Sequence, residues 1–356
     1  MPTASVAAES IAAESIAGER TRPAREQLRL LGASAAVLAA AALLSFAVGS
    51  RGLFPAQLLA VLTGGGDAEA RAVLLDLRFP RTAIGLVGGA ALAVAGAVMQ
   101  GHTRNPLADP GLLGVGAGAS VAVVLAISLL GLATPVSLLG FAFLGAALGA
   151  VLVSAFGLLA AGRRDSSPAT LVLAGAALSA MLSAVTGVVL LLDSATLDVY
   201  RFFTVGSLGG GRGFDVLLPV LPFLLVGLVV ALGHASTLDA LAMGDDIARG
   251  LGRQLGPARL TGLGAVTLLV GGAVACCGSL AFVGLVVPHV VRRFTGPGHR
   301  WLLPQCALLG AIAVVLADIA GRLLVHPAEL PVGVVLGILG APAFLVLVAR
   351  TAGRTS

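Results

Sequence analysis

Residues 77–120 read LRFPRTAIGLVGGAALAVAGAVMQGHTRNPLADPGLLGVGAGAS. From Thr82 to Gln100 no charge interrupts an apolar run. A hydrocarbon core about 30 Å thick needs roughly 20 such residues in a helix. The run therefore predicts a membrane span near 82–100. Arg78 and Arg81 stand at one mouth; Asn105, Pro106, Asp109 and Pro110 break the chain at the other, before a second apolar run near 112–133. Gly85, Gly89, Ala93, Ala97 and Gly101 recur every fourth residue, as do Gly114, Gly118, Ala122 and Ala126. Gly333, Gly337 and Ala341 form a third row. In lipid, helices associate through close backbone approach, and small-residue rows permit it.

The rest of the chain follows suit. Of its 356 residues 58% are hydrophobic and 11% charged, with a mean hydropathy of +1.03. A soluble chain carries about 25% charged residues, so two or three soluble domains are excluded. About ten apolar runs follow one another, near 30–49, 82–100, 112–133, 137–161, 170–192, 216–236, 260–277, 279–294, 302–323 and 332–349. The seventh and eighth run almost together, with only Gly278–Ser279 to suggest a turn, and Pro288 is expected to kink or end the eighth. The expected fold is an all-α polytopic membrane protein of about ten transmembrane helices, with 1–29 as a mobile cytoplasmic tail, 30–350 as the membrane domain and 351–356 as a C-terminal tail. No short apolar core with a small-residue cleavage site precedes Leu30, so a removable signal peptide is not expected.

All 22 basic residues are arginine. Without lysine there is no Schiff-base lysine and no Walker A phosphate loop. The arginines punctuate apolar runs instead of forming a patch, which argues against a nucleic-acid partner. With the N-terminus inside, fifteen fall on cytoplasmic segments and seven (Arg51, Arg71, Arg78, Arg81, Arg201, Arg212 and Arg322) outside. That asymmetry follows the positive-inside rule and sets both termini in the cytoplasm. Cys276, Cys277 and Cys306 lie in apolar runs without metal-ligand spacing and read as core residues, though a pair of cysteines there could react with thiol reagents. The five histidines share no ligand spacing, so no metal site is expected. No acid or arginine falls at mid-span, Asp318 being nearest, which argues against an ion-coupled carrier, the main competing class; a membrane-embedded enzyme is the remaining one.

Residues 237–256, TLDALAMGDDIARGLGRQLG, form a polar amphipathic interlude between the sixth and seventh runs. Leu238, Leu241, Ala242 and Ile247 are expected to anchor it, with Asp245, Asp246, Arg249 and Arg253 facing the cytoplasm. Further on stand FVGLVVPHVVR, HRWLLP and ELPVGVVLGILGAPAFL.

With LRFPR, NPLADPGLLGV and GDDIARGLG these segments resemble the permeases of bacterial importers of the FecCD/BtuC type, which carry iron–siderophores, haem or cobalamin. The resemblance covers nearly all of 30–350. It implies a type II ABC importer permease in the bacterial cytoplasmic membrane, not an enzyme, paired with a second permease that is either another copy or a related chain. Two ATPase subunits beneath it would use ATP and Mg, this chain holding no cofactor, and an extracytoplasmic binding protein would deliver cargo. The commonest cargo of the family makes a ferric siderophore the first expectation, with haem and cobalamin as alternatives. Carried over by position, Arg78, Arg81 and Arg322 would dock the binding protein; otherwise they cap helices or pair with Asp76 and Asp318 nearby. Leu241, Gly244, Asp245, Asp246, Arg249 and Gly252 would couple to the ATPase, the alternative being a solvated loop. Asn105, Pro106, Asp109, Pro110, Pro288 and His289 would shape the pathway or its gate, although a structural role suits His289 better than a proton relay. LDVYRFFTVGSL, residues 197–208, would form a short outer helix, with Tyr200, Phe202 and Phe203 as alternative interfacial anchors.

Overall fold

A computed structural model describes residues 23–49, 59–61, 63–65, 67–161, 168–210, 212–325 and 328–352. Among these there is no strand. The longer helices are α1 (Ala24–Ala47), α2 (Ala68–Thr103), α3 (Val115–Leu130), α4 (Pro135–Ala161) and α5 (Pro168–Leu192). After the short α6 (Ser194–Thr204) comes α7 (Phe214–Gly233), then two short helices, α8 (Ala235–Ala242) and α9 (Asp245–Gly250). The chain closes with α10 (Leu255–Cys277), α11 (Val283–Thr295), α12 (His299–Leu324) and α13 (Val332–Ala352). Seven of them, α1, α2, α4, α5, α7, α10 and α12, are long and apolar enough to cross a membrane. A helix stands at each of the ten predicted runs, but α3 and α13 have shorter apolar lengths and α11 only 13 residues.

α2 occupies the centre of the bundle. Its 36 residues span about 54 Å at 1.5 Å each, well beyond a hydrocarbon core. Asp67 caps it by accepting from Ala70 N at 2.9 Å. The helix thus starts well before the expected span, and LRFPR lies inside it. A π-helical stretch, Ala72–Arg78, precedes Pro80. Proline has no N–H to donate to the carbonyl four residues back, and a wider turn absorbs that defect without ending the helix.

The small-residue rows are contact seams. A side chain at Gly89 would run into the backbone of Gly310 on α12, and one at Gly101 into the His299 ring; Gly96, beside the row, meets the backbone of Gly284 on α11. Gly118 of α3 meets Gly145 of α4 in the same way, and Ala122 lies beside it. The third row is weaker: Gly333 meets Val205 O, while nothing lies within 4 Å of a side chain placed at Gly337.

The turn between the seventh and eighth runs is also a break in the helical bundle. α10 ends at Cys277, Gly278 takes φ 74°, and an irregular segment leads to α11, about 20 Å long. Its backbone is answered by neighbouring breaks: Ser207 N donates to Cys277 O at 2.9 Å, and Gly333 N to Gly206 O at 3.1 Å. Irregular backbone at membrane depth must find such partners. Pro288 does not end α11, which continues to Thr295. At the N-terminus α1 starts at Ala24, so the last residues assigned to the tail are helical; Gln27 is buried and donates to Thr295 O at 2.8 Å. The remainder of that tail, and most of the C-terminal one, lie outside the described residues.

Candidate functional site

The charged groups gather at the two ends of the bundle. At one end, Arg78 and Arg81 of α2 come together with Arg322 of α12 around a cavity of about 510 Å³, also bordered by Asp76, Arg212, Asp215 and Glu329. Asp318 organises Arg81 and Arg322. Its Oδ1 accepts from Arg81 Nε at 3.0 Å and Nη2 at 2.8 Å, and its Oδ2 from Arg322 Nε at 2.9 Å and from Nη2. Arg322 also donates to Ser45 O at 2.9 Å, Val48 O at 3.0 Å and Ser45 Oγ at 2.8 Å, fastening α12 to α1. Arg78 Nη1 donates to Phe46 O and Ala47 O, again on α1. Arg81 keeps one outward contact, from Nη1 to Glu329 Oε2 at 2.6 Å.

The three arginines that sequence reasoning singled out do come together, but Arg78 and Arg322 are withdrawn further than it expected. Arg322 is 3% exposed and Arg78 5%. The pairing with Asp318 is present for Arg81 and Arg322, and a charge network two helices deep takes the place of an open cationic rim. Asp318 was legible as the nearest acid; Glu329, just before the LP of ELPVG, offers no spacing signal that it reaches Arg81. On the same end, α6 forms where LDVYRFFTVGSL predicted a helix, capped by Asp193 through Ala195 N at 3.1 Å and Thr196 N at 3.2 Å. Tyr200 and Phe203 are buried, so they are core residues and not interfacial anchors; the Phe202 side chain lies outside the described residues.

At the other end, α8 and α9 lie under the bundle, clamped at two points. Asp239 of α8 accepts from His299 N at 2.8 Å and pairs with His299 Nδ1 at 2.7 Å, holding the first turn of α12. Burial pushes the Asp239 carboxyl up, but the two His299 contacts outweigh it and hold it below its ordinary value. Asp245 bridges Arg104, after α2, at 2.6 Å and Arg259 of α10 at 2.7 Å. It therefore faces the bundle and not the cytoplasm, a correction to the sequence reading. Asp246 and Arg249 do face outward and pair at 3.0 Å. Leu238 and Leu241 are buried anchors as expected, whereas Ala242 and Ile247 are exposed and Ala248 is buried in their place. Gly244, φ 113°, and Gly252, φ 77°, turn the chain on either side of α9 where a side chain would be strained. Exposed Met243, Ile247 and Leu251 recur every four residues, an apolar stripe the sequence reading overlooked.

The pathway candidates sit above this unit. Asn105 Oδ1 accepts from Leu107 N at 2.9 Å and Asp109 Oδ1 from Gly111 N at 2.7 Å, local turns that fold 105–110 tightly. Pro110 is pressed against Gly284 of α11, and Pro106 is exposed. Pro288 is buried in α11 and His289 half-buried beside it. His102 and His234 stack, ring centroids 5.2 Å apart, but among the described residues no three ligating side chains converge. Cys276, Cys277 and Cys306 are fully buried, out of reach of a thiol reagent in the folded chain.

Residues 37–350 match the model of the FecCD transport family. The chain belongs to that family. FecCD relatives with similar sequences include the ferric enterobactin transport system permease protein FepD of Escherichia coli, 40% identical over 88% of this chain and 93% of FepD. The probable siderophore transport system permease protein YfiZ of Bacillus subtilis is 38% identical over 89% of this chain and 94% of its own. The hemin transport system permease protein HmuU of Yersinia pestis is 39% identical over 78% of this chain and 83% of its own. Among solved structures, a metal-chelate type ABC transporter in an inward-facing conformation superposes with a TM-score of 0.80 at 29% identity, covering 90% of this chain and 99% of that one. The fold is thus that of an ABC transporter permease, and the chain is a multi-pass membrane protein and a transport component.

Proposed function

We propose that this FecCD chain is the membrane-spanning permease subunit of an ABC importer that takes up ferric siderophores. The observation that carries the reading is the near-full-length likeness to siderophore permeases, in a chain with one network of ion pairs around Asp318 and another around Asp245. Ten crossings are counted by letting α3, α11 and α13 traverse together with the seven long helices. This puts both termini and the α8–α9 unit on the cytoplasmic side of the bacterial inner membrane, and the Asp318 cluster outside.

Work done on α8–α9 by a partner ATPase reaches α2, α10 and α12 through Asp245–Arg104, Asp245–Arg259 and Asp239–His299. The exposed stripe of Met243, Ile247 and Leu251, flanked by Asp246 and Arg249, is the surface offered to that ATPase. ATP and Mg belong to it and not to this chain. At the outer end Arg81, steadied by Asp318, meets an acidic side chain of the binding protein, while Arg78 and Arg322 fix α2 and α12 against α1. A second permease, identical or related, completes the pathway.

The test is uptake into vesicles holding the permease, its ATPase and its binding protein. Ferric siderophore should enter only with ATP and irrespective of a proton gradient. Uptake that follows the gradient without ATP would overturn the importer reading; haem or cobalamin entering in place of siderophore would overturn the cargo assignment.

A further inference from the structure

The outer arginines differ in what answers their charge. Arg81 and Arg322 share Asp318, and Arg201 pairs with Asp198 at 3.1 Å. Arg212, between α6 and α7, meets no carboxylate among the described residues. Its Nη1 donates to Gly209 O at 3.2 Å, and its Nε is buried without an acceptor. A guanidinium carries five N–H donors, and leaving such a charge desolvated and unpaired is strongly unfavourable. Burial accordingly draws the Arg212 pKa below its ordinary value.

Its position says where a counter-charge can arrive. Arg212 borders both the cavity of about 510 Å³ that holds Arg81 and Glu329 and a second of about 390 Å³ lined by Pro135, Leu138 and Phe203. Gly209, Gly210 and Gly213 line the larger one, so no side chain of theirs screens the guanidinium. Arg81, by contrast, already shares its charge with Asp318 and Glu329, which take its Nε, one Nη2 and one Nη1 hydrogen. An acid entering the cavity therefore meets at Arg81 a charge already partly answered, and at Arg212 one that no carboxylate among the described residues answers.

We propose that Arg212 is a receiving site for a carboxylate, supplied by an acidic side chain of the docking extracytoplasmic protein as it enters the cavity beside Arg81. The inference rests on the reading of this end as the docking face. A planar guanidinium suits a carboxylate in bidentate fashion, and a side chain delivered by a partner fits a cavity continuous with that face.

The experiment titrates the binding protein onto the complete transporter in lipid nanodiscs, at low and high salt, for the parent, Arg212→Gln, Arg212→Lys and Arg81→Gln. Arg212→Gln should weaken docking about tenfold or more and flatten its salt dependence. Arg212→Lys, which keeps the charge, should lose less. Thermal stability of Arg212→Gln should hold or rise, because a half-buried cation without a counter-charge is gone. Parent-like docking by Arg212→Gln overturns the inference; so does a loss that Arg212→Lys does not relieve and that tracks lowered stability. The Arg81→Gln arm tells the two readings apart. If it weakens docking while Arg212→Gln does not, only the Arg212 site fails; if neither changes docking, the docking face itself is wrong.

Discussion

Replacing Asp318 with Asn removes one negative charge from beneath two arginines. The carboxylate is 2% exposed and takes donors from both Arg81 and Arg322. Removing one member of a buried pair costs about 3–5 kcal/mol, because the other charge stays behind unanswered. Here the arginines are not abandoned altogether: Arg322 retains Ser45 and Val48, and Arg81 retains Glu329. That places the cost near the lower figure, about 3 kcal/mol, or roughly a hundredfold in the folded-to-unfolded ratio. Reversible unfolding in mixed micelles, titrated with a denaturing detergent, measures it. Coupling Asp318→Asn with Arg322→Met removes a charge of each sign and should restore more than half of the loss. A single variant within about 1 kcal/mol of the parent, or a double variant no better than the single one, would refute the claim that Asp318 is the common counter-ion.

Three further outcomes follow from the geometry. Gly89→Ala should cost about 1–3 kcal/mol, since its Cβ meets the Gly310 backbone, whereas Gly337→Ala, with open space around it, should be nearly silent in the same unfolding assay. Asp245→Asn should lower ATP hydrolysis stimulated by the binding protein about tenfold while docking affinity holds, because it unties α9 from Arg104 and Arg259 at the opposite end. Asp239 is held below its ordinary pKa, so its stabilising contact is complete above about pH 4 and is lost as pH falls below that; an acid-unfolding profile flattened in Asp239→Asn would confirm the sign, and an unchanged profile would exclude it.

Hydropathy reveals much of this molecule because bilayer thickness imposes a length that sequence must meet. A helix stands at each of the ten predicted runs, and two of the three small-residue rows are contact seams. What hydropathy cannot register is a helix that overshoots the membrane, as α2 does by running back to Ala68, or one that stops short, as α11 does. The site was half legible. Arg78, Arg81 and Arg322 could be picked out by position, yet the withdrawal of Arg81 and Arg322 rests on Asp318, 237 residues from Arg81, and that of Arg78 on the Phe46 and Ala47 carbonyls, distances no local pattern encodes. Ile247 was misread for the opposite reason. On a two-turn helix, amphipathic spacing does not say which side meets the bundle; Asp245 decides it by pairing with Arg104 and Arg259.

Asp318 and Arg322 also bear on how the chain is made. They stand four residues apart on one helix, so α12 brings its own counter-ion with it. During synthesis α2 enters the membrane long before α12, and Arg81 must wait at its end of the bundle with its charge unanswered by Asp318. When α12 arrives, its inner pair can form at once, without any other segment, which eases insertion of a helix bearing two ionised groups. Arg81 then joins an anion already half neutralised. Assembly of this end is thereby ordered in time: α12 inserts as a nearly neutral unit, and the first arginines close over it afterwards.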